Sequence, residues 1–238
     1  MVPWSLRQVS SRRWRQAQEH EAHFWIQPNA LPPQQDRVAQ RYAGLLEELD
    51  RQGQVGGRIL EVGSGPTCVS ARLGNRLRVF ADPLMALYRS LCADAVPGHF
   101  VATVGEQLPF ADASFDAVFS FNVIDHVFSP ARFVSELVRV LRPSGLVIIG
   151  VYTHPRLFAA VRTLLDRALP WARELPHPFF FSRHSLLHLL RHCGLQVERV
   201  VCVHAPNHIP ALHRQDWVGV ARKPAGLAFR SPVSASAR

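Results

Sequence analysis

The residues best placed to do chemistry are a glycine turn and three carboxylates that follow short apolar runs. Glu61-Val62-Gly63-Ser64-Gly65-Pro66-Thr67 continues directly from the apolar stretch that begins at Arg58. A glycine-rich turn between a first strand and its helix opens backbone to a ligand that side chains would otherwise shield. Two phosphate-binding patterns are missing. The third glycine of GxGxxG would fall at Cys68, and no GxxxxGK precedes a Ser or Thr. Glu61 ends an apolar strand, where a carboxylate is costly without a partner. Asp82 ends the next apolar run, where a carboxylate can accept hydrogen bonds from ribose hydroxyls. Glu106 follows the third. Carboxylates at the ends of adjacent parallel strands converge on one crevice, and their sign suits a cationic, ribose-containing ligand without phosphates.

The elements that must position these groups are legible from periodicity. Apolar runs at 58–62, 77–81, 99–104, 116–121 and 145–151 alternate with helical patterns at 67–75, 84–93 and 130–142. Such alternation predicts an α/β fold, with a Rossmann-like, seven-stranded, mostly parallel sheet covered by helices on both faces. Further helices are expected at 155–168 and 182–193, with the last strands at 195–203 and 215–222. Two helices, to about Gln27 and over 36–52, precede the first strand and are separated by Pro28, Pro32 and Pro33. The expected organisation is a helical N-terminal extension or lid over 1–52, a ligand-binding domain over 53–224, and a frayed tail over 225–238. Phe24 and Trp25 suit either core packing or a wall of an acceptor cavity. Trp171 and Phe179–Phe181 are the other candidate wall.

Composition narrows the classes. The 238 residues carry 27 Lys+Arg against 18 Asp+Glu, with 47% apolar and 19% charged residues, which excludes a disordered chain. No apolar run approaches a membrane span, and no apolar h-region follows the N-terminal arginines, so the expected compartment is the cytoplasm. The positive excess is localised: residues 58–150 hold eight basic and eight acidic groups, whereas 151–238 hold twelve and four. It reads as a solvated basic surface, or as a docking site for an acidic acceptor or partner. Cys68, Cys92, Cys193 and Cys202 form no CxxC pair. His184, His188 and His192 recur every four residues without nearby acidic ligands, so no metal centre is expected.

S-adenosylmethionine, with its ammonium, sulfonium and adenosine, meets the ligand description. ILEVGSGPT, VFADPLMALY, GEQLPFADASFDAVFSFNVIDHV and LVRVLRPSGLVIIG, in this order, resemble the motifs of class I S-adenosylmethionine-dependent methyltransferases. Within that class they are similar to the ubiquinone/menaquinone-biosynthesis (type 11) group. The resemblance implies S-adenosylmethionine as cofactor, with Glu61, Gly63, Ser64 and Gly65 facing its methionine part. It places Asp82 on the ribose, and Pro83 or Leu84 beside adenine. Glu106, Gln107 and Leu108 would edge the adenine, and Asn122 would approach the methionine or methyl end. The sequence departs from the group's pattern at Thr67, Val104 and Asp125.

The implied reaction is methyl transfer to a small-molecule acceptor, with oxygen preferred over nitrogen or carbon. His126 and His154 are the candidate bases for removing an acceptor proton, with Asp125 and Tyr152 nearby in sequence. Two other functions remain open: an RNA or DNA methyltransferase using the basic C-terminal third, and a non-catalytic S-adenosylmethionine-binding protein. Phe121-Asn122-Val123-Ile124 lacks the Asn/Asp-Pro-Pro-aromatic pattern of amino-methylating nucleic-acid enzymes, which counts against the first.

Overall fold

The computed structural model describes residues 8–27, 33–74, 76–91, 96–169, 176–204 and 215–226; Pro28, Pro32, Trp171 and most of the expected tail lie outside them. Its seven strands are β1 (Arg58–Val62), β2 (Leu77–Asp82), β3 (His99–Ala102), β4 (Phe115–Phe121), β5 (Leu141–Thr153), β6 (Gln196–His204) and β7 (Gln215–Arg222). They form one sheet in the order β3-β2-β1-β4-β5-β7-β6. Pairing is parallel from β3 to β5. β7 then runs antiparallel to β5, and β6 antiparallel to β7. The predicted Rossmann-like class is therefore present, with an antiparallel pair at one edge.

The apolar runs follow from burial on both faces of the sheet. Alternate strand residues point to opposite sides. Ile59, Phe119 and Ile148 pack on one side with Tyr42, Leu45, Leu46 and Leu49 of α2 (Pro33–Arg51). Leu60, Val118, Val147 and Ile149 pack on the other with Phe133 and Leu137 of α4 (Pro130–Val140) and with Leu186, Leu189 and Leu190 of α6 (Arg183–His192). Three further helices are α1 (Ser11–Trp25), α3 (Met85–Leu91) and α5 (Arg156–Ala168). No helix among the described residues is long and apolar enough to cross a membrane.

One expected helix is absent. In place of a helix over 67–75 there is a four-residue 3-10 turn, Val69–Arg72, entered through Cys68 at φ 45°. Its backbone N–H groups are drawn to Glu61 instead of extending a helical ladder: Val69 N–H donates to Oε1 at 2.9 Å and Ser70 N–H to Oε2 at 2.8 Å. β3 also stops at Ala102, two residues early, because Thr103 enters a turn in which its hydroxyl donates to the Gln107 carbonyl at 3.0 Å.

The ends of α4 are held by residues distant in sequence. Ser129 stands at the N-cap without a side-chain cap bond. Glu106 Oε1 does that work, accepting from Phe128 N–H at 2.6 Å and Ser129 N–H at 3.1 Å. At the other end Lys223, the single lysine, donates to the Val138 and Leu141 carbonyls at 2.8 Å each. A carboxylate at the N-terminus and an ammonium at the C-terminus both complement the helix dipole. Glu106→Ala should lower stability by about 1–2 kcal/mol, as removal of an N-cap does, measured by urea denaturation.

Candidate functional site

Strand order reverses between β1 and β4, and the crevice at such a switch point is where open α/β sheets bind ligands. A cavity of about 430 Å³ lies there, within the usual size range of small-ligand sites. Its floor is built from Glu61, Gly63, Ser64 and Gly65 after β1, Asp82, Pro83 and Leu84 after β2, and Asn122 after β4. Val104, Gly105 and Glu106 form one side. Trp14, Gln18, Glu21, Phe24 and Trp25 of α1 form another, and Asp125, His126, Tyr152 and His177 a third. Five carboxylates thus line it, and among the described residues no Lys or Arg does, in a chain whose formal charge is +9.

The glycine turn owes its shape to contacts that only glycine permits. Gly63 has φ +70°, and a Cβ there would collide with the Val123 side chain. Gly65, at φ +51°, has nothing within 4 Å of the Cβ position, so its backbone opens onto free space. Asp82 supports the turn from below: Gly65 N–H donates to its Oδ2 at 3.0 Å and Leu84 N–H to its Oδ1 at 2.8 Å. Each oxygen of a carboxylate has capacity for a second donor. Two buried acceptor atoms in the cavity wall, Ser64 Oγ and Asn122 Oδ1, have no hydrogen-bond partner. Asn122 is held at φ 56° while its N–H donates to the Gly150 carbonyl at 2.9 Å. Such groups are costly to bury unpaired, and a ligand or water in the cavity could supply the missing partners.

Residues 60–149 match the family described as methyltransferase domain. An uncharacterized methyltransferase of Mycobacterium sp. strain JLS is 40% identical over 119 residues, 48% of this chain and 46% of the relative. One from Mycobacterium sp. strain KMS is 36% identical over 140 residues, 58% and 56% of the two chains. Over residues 60–149 the chain is thus similar to methyltransferase domains. The chain spans about half the length of the curated relatives it matches. Solved structures show the same fold at low identity. The YcgJ protein of Bacillus subtilis superposes with TM-score 0.59 at 15% identity, over 77% of this chain and 100% of that one. A SAM-dependent methyltransferase of Methanosarcina mazei gives 0.53 at 17%, over 73% and 96%. The [4+2]-cyclase SpnF gives 0.56 at 17%, over 82% of each.

The residues singled out from sequence divide into two groups. Glu61, Gly63, Ser64, Gly65, Asp82, Pro83, Glu106, Asn122 and His126 meet at the cavity. Gln107, Leu108 and His154 are not among its lining residues. Gln107 N–H closes a turn onto the Val104 carbonyl, and Leu108 is buried with its N–H donated to Glu136. The His154 ring stacks on Phe158, at 4.9 Å between centroids. The fold also brings in His177 and Glu21 at the cavity and Asp216 behind it, none of which the sequence singles out. Glu21 belongs to a segment without a motif, and His177 opens the stretch HPFFFSRHSLLHLLRHCGLQVERV, which resembles the family only loosely. A lone carboxylate in the apolar run of β7 was a readable signal, since burying a charge requires a partner.

Burial pushes the Glu61 carboxyl up to about 7, against three donors from Val69 and Ser70 that favour its charged form. Its ordinary value is 4.5, so between these limits the folded chain holds a proton that the unfolded chain has released. The resulting stability is full below about pH 4.5 and is lost as pH rises through about 7. The expected amplitude is on the order of 3 kcal/mol. Glu61→Gln should flatten this part of the stability–pH curve, read by urea denaturation at a series of pH values.

Proposed function

We propose that the protein is an S-adenosylmethionine-dependent methyltransferase acting at an oxygen of a small-molecule acceptor. The observation that carries the reading is the acidic cavity, free of Lys and Arg among the described residues, at the switch point of a methyltransferase domain. When bound there, S-adenosylmethionine supplies an electrophilic methyl group on a sulfonium. Asp82, with one backbone donor on each oxygen, keeps acceptor capacity for the ribose hydroxyls. The Gly63–Gly65 backbone would take the methionine part, and the orphaned Asn122 oxygen would accept from its ammonium. Leu84 and Val104 offer apolar contact to adenine.

The acceptor enters from the side of Asp125, His126, Tyr152 and His177, where it finds groups able to bind or deprotonate a hydroxyl. The α1 aromatics Trp14, Phe24 and Trp25 exclude water, which strengthens electrostatic interactions inside the site. Among the described residues, three basic groups of the C-terminal third are engaged within the fold. Arg199 pairs with Glu48 at 2.8 Å, Arg222 with Glu198 at 2.9 Å, and Arg183 covers the Trp217 ring at 4.5 Å. These contacts favour a solvated surface over a nucleic-acid interface. The test is incubation with S-adenosylmethionine and pooled metabolites, followed by mass spectrometry. The reading expects S-adenosylhomocysteine to accumulate together with an acceptor heavier by one methylene. Nucleic acid as the only acceptor would overturn the small-molecule assignment.

A further inference from the structure

Beyond the donor cavity, three side chains at its rim form a constellation that methyl transfer does not by itself require. Asp125 and His126 come from the turn after β4, and His177 from the segment leading to α6. Each offers a ligand atom, and these atoms all lie within 4.8 Å of one another. His177 Nδ1 is 2.9 Å from Asp125 Oδ2, and His126 Nε2 is 3.7 Å from Asp125 Oδ1. The two imidazole centroids are 4.5 Å apart. We propose that Asp125, His126 and His177 bind a divalent cation of the zinc type.

The donor set is chemically suited to it. Two imidazoles and one carboxylate are a recurrent catalytic zinc set, which leaves a coordination position open. Metal–ligand bonds of about 2.0–2.2 Å require ligand atoms roughly 3–3.5 Å apart. The His177–Asp125 contact at 2.9 Å is already that close and the His126–Asp125 contact at 3.7 Å nearly so, while a separation at the 4.8 Å limit would have to contract by about 1.5 Å. The side chains are largely withdrawn from solvent, at 7%, 13% and 17% exposure for Asp125, His126 and His177.

The surroundings hold the cluster as a second shell holds metal ligands. His126 Nδ1, the nitrogen turned away from Asp125, faces Glu21 Oε1 at 3.4 Å. This contact lacks hydrogen-bond geometry, and a small rotation of the ring would turn it into the carboxylate–imidazole bond that orients a metal-bound histidine. Gln18 donates to the His126 carbonyl at 3.5 Å and Arg13 to the His177 carbonyl at 3.3 Å. Phe179 N–H donates to the Asp125 carbonyl at 3.3 Å, tying the two ligand-bearing segments together. All three ligands line the cavity, so the open position faces it. If the methyltransferase reading holds, on which this last step rests, the cation would bind the acceptor oxygen and lower the pKa of its hydroxyl.

The test is titration of the chelator-stripped full chain with Zn²⁺ in competition with a zinc dye, without S-adenosylmethionine or acceptor. It is therefore independent of whether methyl transfer occurs. One tight equivalent is expected, weakened at least about 100-fold by His177→Gln and by Asp125→Asn. Glu21→Gln should weaken it about 10-fold, the effect of losing an outer-shell partner. The exposed pair His188 and His192, with ring centroids 6.2 Å apart, is the control for casual binding. If variants of the triad fail to fold, zinc-edge X-ray absorption of the unmutated protein decides. Imidazole and oxygen scattering without sulfur is expected. No binding, binding lost only in His188→Ala/His192→Ala, or sulfur scattering would overturn the assignment.

Discussion

Asp82→Ala is expected to weaken S-adenosylmethionine binding by about 100- to 10,000-fold. Two hydroxyl donors to a charged acceptor contribute about 1.5–3 kcal/mol each. The same carboxylate accepts from Gly65 and Leu84, so alanine also strips the support from the glycine turn. Asp82→Asn, which keeps one acceptor oxygen, should lose less. Burial raises the Asp82 carboxyl to about 6, opposed by the Leu84 and Gly65 donors. Cofactor affinity should therefore rise as pH increases through about 6 and the carboxylate ionises. Calorimetry across that range reads both effects. Equal affinity in the alanine variant would remove Asp82 from the site.

Asp216→Ala costs about 3–5 kcal/mol of stability, the loss typical of breaking a buried charged pair by removing one partner. Asp216 is fully buried on β7, and Oδ2 accepts from Tyr42 OH at 2.7 Å and from Arg41 at 3.2 Å. Both donors belong to α2, so this one carboxylate anchors that helix to the sheet. Burial raises its pKa, against the Tyr42 and Arg41 contacts that favour the anion. Without it, the Arg41 charge and the Tyr42 hydroxyl remain in a poorly hydrated site. Arg41 also donates to the Tyr152 hydroxyl, which lines the cavity, so the acceptor side should loosen as well. Asp216→Asn should fall between wild type and alanine. A loss below about 1 kcal/mol in urea denaturation would show the network to be dispensable, as a solvent-exposed ion pair is.

The two large predictions differ in how readable they were. Asp82 stood at the end of an apolar run after a glycine turn, where strand geometry alone brings a carboxylate to the crevice. The sheet itself was legible for the same reason, since strands buried on both faces read as unbroken apolar runs. Asp216 pairs with residues some 170 positions earlier, and nothing local in sequence encodes such a partner. The pattern over 67–75 predicts a helix, whereas Glu61 reorganises the backbone donors through space into a turn over 69–72. The family resemblance implies an adenine contact for Glu106. This residue lines the cavity, but Oε1 is engaged at the N-terminus of α4. His126 could be picked out from its motif, whereas His177 reaches it only through the fold.

Calorimetric titration of the unmutated chain with S-adenosylmethionine and with S-adenosylhomocysteine tests the central claim most directly. The acidic cavity predicts that both bind at a single site, in competition with each other. Absence of heat with either ligand, together with no displacement by equilibrium dialysis, would contradict it.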